Sequence, residues 1–280
     1  MKTIHALVLT GFGLNCDIET AAAFELAGAK AHRVHINALV SGKVDLDDFQ
    51  ILAFGGGFSW GDDHGAGVIQ ALKLKNHIGE KLLSFVEQKK LIIGICNGFQ
   101  TLVNLGLLPG FDGNYTDRSV ALTWNDCGNF RDQWVHLGIN DKSPCVFTRG
   151  LDAVIDLPVR HGEGKFVADP SVMARLEANN QVVMRYALGN GASAKGKFPE
   201  NPNGSMGDIA GICDPTGRIF GLMPHPEAFN HFTNHPDWCR DVEMSRRGGS
   251  PMRGRDVTPG IQIFRNAVGY MNMDVLSVLP

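Results

Sequence analysis

Leu91-Ile92-Ile93-Gly94-Ile95 is a short, wholly apolar run of the kind a buried strand makes, and Phe99-Gln100-Thr101-Leu102-Val103 continues as a helix, leaving Cys96-Asn97-Gly98 as the entire connection. So abrupt a change from strand to helix requires a sharp turn. Glycines two residues before and two after Cys96 remove the side chains that would clash across it. Cys96 then occupies a strained strand-to-helix turn, a nucleophile elbow, where the amides and positive dipole end of the following helix favour thiolate over thiol. A buried, inert cysteine at a glycine-rich turn is the alternative that this motif alone leaves open.

The surrounding rhythm says what kind of sheet carries that turn. Strands are expected over Ala6 to Leu9, His32 to Ile36 and Ile51 to Phe54, with helices over Ile18 to Ala27 and from about Val68 to Glu87. This is a βαβ alternation, and it predicts an α/β fold with a mostly parallel central sheet flanked by helices. In such sheets reactive groups gather at the carboxyl ends of the strands, where both Cys96 and Gly55-Gly56-Gly57 fall; the two turns should face one cleft. After Leu108 the apolar runs shorten (Val182 to Tyr186, Ile209 to Cys213, Ile219 to Met223), which reads as a small antiparallel addition to the same domain. No linker or repeat divides the chain, so residues 1–280 are read as one domain. Phe229 to Thr258, about 229–258, is a polar surface excursion within it.

Composition excludes several classes. A net charge of −3 lacks the basic bias of a nucleic-acid binder. Cys16, Cys96, Cys127, Cys145, Cys213 and Cys239 are scattered without a C-x-x-C pair, so neither a zinc knuckle nor a disulfide scaffold is indicated. Reduced thiols, no signal-like N-terminus and no membrane-length apolar segment point to the cytoplasm.

A thiol nucleophile needs a base. Met223-Pro224-His225-Pro226-Glu227 supplies one directly after an apolar strand: His225 takes the thiol proton, and Glu227 orients the imidazole and stabilises its charge. The Gly57 and Asn97 backbone amides complete an oxyanion hole. His231 and His235, four apart with Asp237 nearby, have the spacing of metal ligands, but Pro236 disfavours a helix there and no metal is assigned.

Gly94-Ile95-Cys96-Asn97-Gly98-Phe99-Gln100 together with Met223-Pro224-His225-Pro226-Glu227 resembles a class I (triad) glutamine amidotransferase, whose sheet is flavodoxin-like. Gly13-Leu14-Asn15-Cys16-Asp17, Gly56-Gly57-Phe58-Ser59-Trp60-Gly61-Asp62, His161-Gly162-Glu163-Gly164, Asn201-Pro202-Asn203-Gly204-Ser205 and Ile263-Phe264-Arg265-Asn266-Ala267 narrow the resemblance to the glutaminase component of phosphoribosylformylglycinamidine synthase. The resemblance covers nearly the whole chain. It implies hydrolysis of L-glutamine through a cysteine thioester. The ammonia would feed a larger synthase subunit, with or without a third small one, that converts formylglycinamide ribonucleotide to the amidine in purine biosynthesis. It further implies no cofactor on this chain, ATP and magnesium on the synthase, Gln100 in the glutamine pocket, and His161, Gly162 and Glu163 beside the substrate amino acid.

The chain also departs from that family. Where Asn-x-Ser-Gly-Arg-Phe-Glu followed by Arg-Trp-Val is usual, it reads Asn125-Asp126-Cys127-Gly128-Asn129-Phe130-Arg131-Asp132-Gln133-Trp134-Val135, so the charges at Asn129, Arg131 and Gln133 are altered. None of these changes touches Cys96, His225 or Glu227. Two other readings stay open from the residues: another cysteine hydrolase or peptidase on the same fold, and a non-catalytic subunit that senses glutamine. The excursion, with Arg240, Arg246, Arg247, Arg253 and Arg255, is expected near the cleft and in contact with the synthase.

Overall fold

The computed structural model describes residues 3–248 and 256–276. Its first half follows the expected alternation: β1 (His5–Thr10), α1 (Asp17–Leu26), β2 (Lys30–His35), α2 (Ile36–Val40), β3 (Ile51–Phe54), α3 (Val68–Glu87), β4 (Leu91–Ile95) and α4 (Asn97–Leu105). The second half is richer in strands: β5 (Val120–Trp124), β6 (Arg131–Ile139), β7 (Val154–His161), β8 (Glu163–Ala168), α5 (Pro170–Ala178), β9 (Val182–Ala187), β10 (Ile209–Cys213) and β11 (Ile219–Leu222). Helices α6 (Trp238–Arg246) and α7 (Pro259–Leu276) follow.

Nine strands form one sheet in the order β2-β1-β3-β4-β11-β10-β9-β6-β7, and β5 pairs with β8 in a separate ladder. From β2 to β11 every pairing is parallel. Beyond β11 the pairings turn antiparallel, so the expected addition extends the same sheet. Residues of β3, β4 and β11 are buried without exception, as parallel strands covered on both faces require, and the antiparallel β10 beside them is equally buried. The outer strand β7 carries Pro158 at its centre, which an edge tolerates because no ladder hydrogen bond is lost there.

Consecutive side chains of β11 show how the two faces are covered. Phe220 packs on Phe147 at 5.6 Å between ring centroids, on the side where α7 lies against residues 146–148. At the next residue, Gly221, a methyl group would stand 2.1 Å from the ring of Phe99 in α4. On the first side α1 and α7 meet through Phe24 and Phe264, edge to face at 4.8 Å. On the other, α4 packs against α3. Strand β11 is thus clamped between layers, and its end is where His225 begins.

The 229–258 excursion is anchored more firmly than its polarity predicts. His235 packs on the Trp134 ring at 4.8 Å and its Nε2 lies 3.4 Å from the buried Asp156 carboxylate. Arg253 and Arg255 lie outside the described residues. Among the described residues no helix is long and apolar enough to cross a membrane.

Phe220 is fully buried in the strand that leads to the histidine. Phe220→Ala is expected to lower unfolding free energy by about 3–5 kcal/mol, through lost burial and an uncollapsed cavity. Urea denaturation measures this, and a loss under about 1 kcal/mol would show that the two layers close over the gap.

Candidate active site

Cys96 sits where the sequence places the elbow, between β4 and α4, with φ 52° and ψ −108°. A non-glycine residue with positive φ is uncommon and costs of order 1–3 kcal/mol. What holds it is hydrogen bonding on both sides: the Cys96 amide donates to the Leu222 carbonyl of β11 at 2.8 Å, and its own carbonyl accepts from the Gln100 amide at 3.1 Å. A methyl on Gly98 would lie 1.9 Å from the Phe54 carbonyl oxygen, so α4 starts in near-contact with the end of β3. The Cys96 side chain is buried, 5% exposed, and its Sγ lies 3.6 Å from the Arg160 carbonyl.

His225 and Glu227 arrive from the neighbouring strand end. Their Nδ1···Oε1 separation is 2.5 Å, and both side chains are almost wholly buried. With Nδ1 bound to the carboxylate, Nε2 remains without a hydrogen-bond partner, as does Glu227 Oε2. Burial alone would push the imidazole toward its neutral form. The charges of Glu227 and then Cys96 outweigh it and hold its pKa well above the usual histidine value. The geometry is therefore that of a base oriented by an acid.

The two oxyanion candidates stand in separate turns, after β3 and at the start of α4. Gly57 has φ 139° and bridges Leu14, so the turn after β3 is stitched to the turn after β1. Asn97 opens α4, where the first amides of a helix have no intrahelical acceptor. Its side chain donates 3.1 Å to Asp62 Oδ1 and 3.4 Å to Gln100 Oε1.

Gln100 and the 161–163 segment are joined directly: Gln100 Nε2 donates to the Glu163 carbonyl at 2.6 Å, and Glu163 Oε2 accepts from the Ala66 amide at 3.3 Å. The Asn125 side chain and amide donate to the carbonyls of His161 (2.8 Å) and Gly162 (3.0 Å). His161 is buried, with Nδ1 3.2 Å from Asn125 Oδ1. Its pKa falls to about 3, first through burial and then through the charge of His225, so it is neutral at physiological pH.

Sequence reasoning did not single out Asp62, Asn125 or Cys16 as site residues. Asp62 is half-buried, and its pKa rises to about 6 through burial and the Glu163 charge, against the Asn97 hydrogen bond. Cys16 Sγ lies 4.0 Å from His225 Nδ1. Both belong to segments that carried the family resemblance, which was the available signal. Of the histidines weighed as metal ligands, His235 is engaged with Asp156, and His231 Nδ1 lies 2.7 Å from Thr233 Oγ1. Among the described residues the metal-capable cluster is instead Cys16, His225 and Glu227, whose ligand atoms lie within 4.8 Å of one another. Two of those three are the hydrogen-bonded acid and base themselves.

Because the Asp62 pKa is higher folded than unfolded, the carboxyl contributes stability below the ordinary carboxylate range that is lost as pH rises through about 6. Asp62→Asn keeps the acceptor for Asn97 and removes the titration. Urea midpoints of the variant should fall less steeply than the parent's between about pH 4 and about pH 6; identical slopes would disprove the assignment.

Residues 3–271 match the CobB/CobQ-like glutamine amidotransferase domain. The chain is 45% identical over 271 residues to phosphoribosylformylglycinamidine synthase subunit PurQ of Methanococcus maripaludis, covering 95% of this chain and 97% of the relative. It is also 45% identical over 273 residues to the PurQ subunit of Dehalococcoides mccartyi, covering 96% and 98%. Among solved structures, a chain in the structure of PurLQS from Thermotoga maritima superposes with a TM-score of 0.67 at 29% identity, covering 96% of this chain and 100% of that one. With the strained thiol, the buried histidine–glutamate pair and the parallel sheet beneath them, these likenesses show that the chain belongs to the glutamine amidotransferase family, among its phosphoribosylformylglycinamidine synthase PurQ subunits.

Proposed function

We propose that this chain hydrolyses L-glutamine to glutamate and ammonia and supplies the ammonia to a larger synthase subunit that makes formylglycinamidine ribonucleotide from formylglycinamide ribonucleotide. The observation that carries the reading is one juxtaposition. A positive-φ cysteine at the end of β4 meets a hydrogen-bonded, buried His225–Glu227 pair at the end of the adjacent β11, in a chain whose relatives are named as PurQ subunits of the synthase.

On this reading the Cys96 thiolate attacks the side-chain carboxamide carbon of glutamine. The carbonyl oxygen becomes an oxyanion that the Gly57 and Asn97 amides receive. His225 holds the proton taken from the thiol and delivers it from Nε2 to the departing ammonia, leaving a γ-glutamyl thioester on Cys96. Water deprotonated by the same nitrogen then attacks the thioester carbonyl and releases glutamate and the thiol. Glu227 supports each imidazolium state from Nδ1, and the raised histidine pKa suits a group that must hold a proton between steps. Neutral His161 places no competing charge beside it. Gln100 is assigned to the glutamine pocket, and the 161–163 segment to the side of the substrate amino acid. The chain itself calls on no cofactor; ATP and magnesium belong to the synthase.

The reading is tested by co-purifying the chain with its synthase subunit and comparing glutamine with ammonium as nitrogen donor. Cys96→Ala should reduce glutamine-dependent product formation by roughly a thousandfold or more while ammonium-dependent formation stays within about twofold. Retained glutamine-dependent turnover in the Cys96→Ala complex would refute the thioester, and loss of both activities would place the defect in assembly.

A further inference from the structure

The segment Gly13-Leu14-Asn15-Cys16-Asp17 has no part in the thioester chemistry above, yet it ends against the imidazole that performs it. After β1 the chain turns back so that Leu14 bridges Gly57, and the amides of Asn15 and Cys16 both donate to the Gly56 carbonyl, at 3.4 and 3.3 Å. That stitching sets Cys16 Sγ 4.0 Å from His225 Nδ1 and 3.4 Å from Asn15 Oδ1. Gly56 closes another side of the ring: a methyl there would lie 2.6 Å from His225 Cε1 and 3.2 Å from Cys16 Sγ. The backbone of His225 is fixed as well, its amide donating to the Pro158 carbonyl at 2.8 Å.

We propose that Cys16 is a positioning residue for His225: its sulfur gives Nδ1 a second contact beside Glu227 and holds the ring so that Nε2 is presented to Cys96 and the leaving group. The inference rests on the glutaminase reading. Glu227 alone fixes one edge of the ring through a single carboxylate oxygen, about which the imidazole can still pivot. A bulky atom packed between the start of α1 and the ring removes that freedom.

The sulfur does so without adding charge. Burial raises the Cys16 pKa, contact with His225 partly offsets the rise, and the Glu227 carboxylate adds to it, so the thiol stays neutral at physiological pH. The titratable groups facing the imidazole are Glu227, Cys16, Cys96 and His161. Of these, Cys16 joins Glu227 and Cys96 in favouring the charged ring. Serine would place a smaller oxygen atom on a shorter bond and reach the ring less well. Alanine would not reach it.

The test uses the full chain as Cys16→Ala and Cys16→Ser, alone and with the synthase subunit. In histidine-labelled protein followed by NMR, the His225 titration midpoint should fall in Cys16→Ala by about half a pH unit or more, with Cys16→Ser between it and the parent. In glutamine hydrolysis, kcat should fall roughly 3–30-fold in Cys16→Ala with KM changed less than about twofold, because geometry at the proton-transfer step is lost and binding is not. A His225 titration and a kcat matching the parent overturn the proposal. So does a lowered melting temperature with an unmoved titration, which marks Cys16 as packing alone. If parent protein and synthase together release no glutamate, the glutaminase reading fails instead, and the NMR comparison still decides whether Cys16 acts on His225.

Discussion

The backbone at Cys96 is the constraint on which the rest of the site depends. A positive φ at a residue with a side chain costs of order 1–3 kcal/mol and persists only where the surroundings leave no alternative. Here β4 delivers the chain, β11 accepts its amide and α4 takes its carbonyl into the first helical turn. Gly94 and Gly98 lie so close to their neighbours that a side chain on either would force the layers apart. The same packing that strains the cysteine sets the start of α4 against the end of β3. Strain and oxyanion candidates are therefore products of one arrangement.

The histidine reaches that sulfur because of strand order. Strands β4 and β11 are adjacent and parallel although more than a hundred residues separate them, so their carboxyl ends open on the same side. An antiparallel β11 would have carried His225 to the opposite edge. The switch to antiparallel pairing begins at the next strand, β10, and the hairpin from β10 into β11 sets the latter in the required direction. The antiparallel half thus sets the polarity of the strand that bears the base, and it also supplies the Pro158 carbonyl that fixes the His225 amide.

Particular residues show how much of this was legible in advance. Strands β3, β4 and β10 and helix α3 have the bounds their apolar patterns imply, because uniformly buried strands and a long amphipathic helix leave a strong local signal. β6 and β7 left a weak one. β6 is mostly half-buried and mixes Arg131, Asp132, Gln133 and His136 with its apolar positions, and β7 holds a proline that argues against a strand. In the site, Cys96, His225, Glu227 and the glycine turn stand in segments with their own backbone logic. Cys16, Asp62 and Asn125 do not; each matters through contacts across a large sequence separation, and no periodicity encodes such contacts. What pointed toward Cys16 was its place in the Gly13–Asp17 segment of the family resemblance; in the fold β1 is another parallel strand, and its carboxyl end opens on the same cleft.

The altered charges after Asn125 illustrate the same principle in reverse. Read along the chain, Arg131 and Gln133 look like changes to a surface that meets a partner. In the fold, Arg131 stacks on the Phe198 ring at 4.5 Å and its Nε lies 3.2 Å from Cys127 Sγ, while Gln133 Nε2 donates to the Pro199 carbonyl at 2.8 Å. Both side chains therefore tie the start of β6 to the 198–203 segment. That segment in turn holds Asn203, which donates to the Gly164 carbonyl just beyond the 161–163 segment. Restoring arginine at Gln133 would break an amide-to-carbonyl contact whose geometry a guanidinium does not reproduce. Arg131 and Gln133 thus act as a brace between the start of β6 and the 198–203 segment.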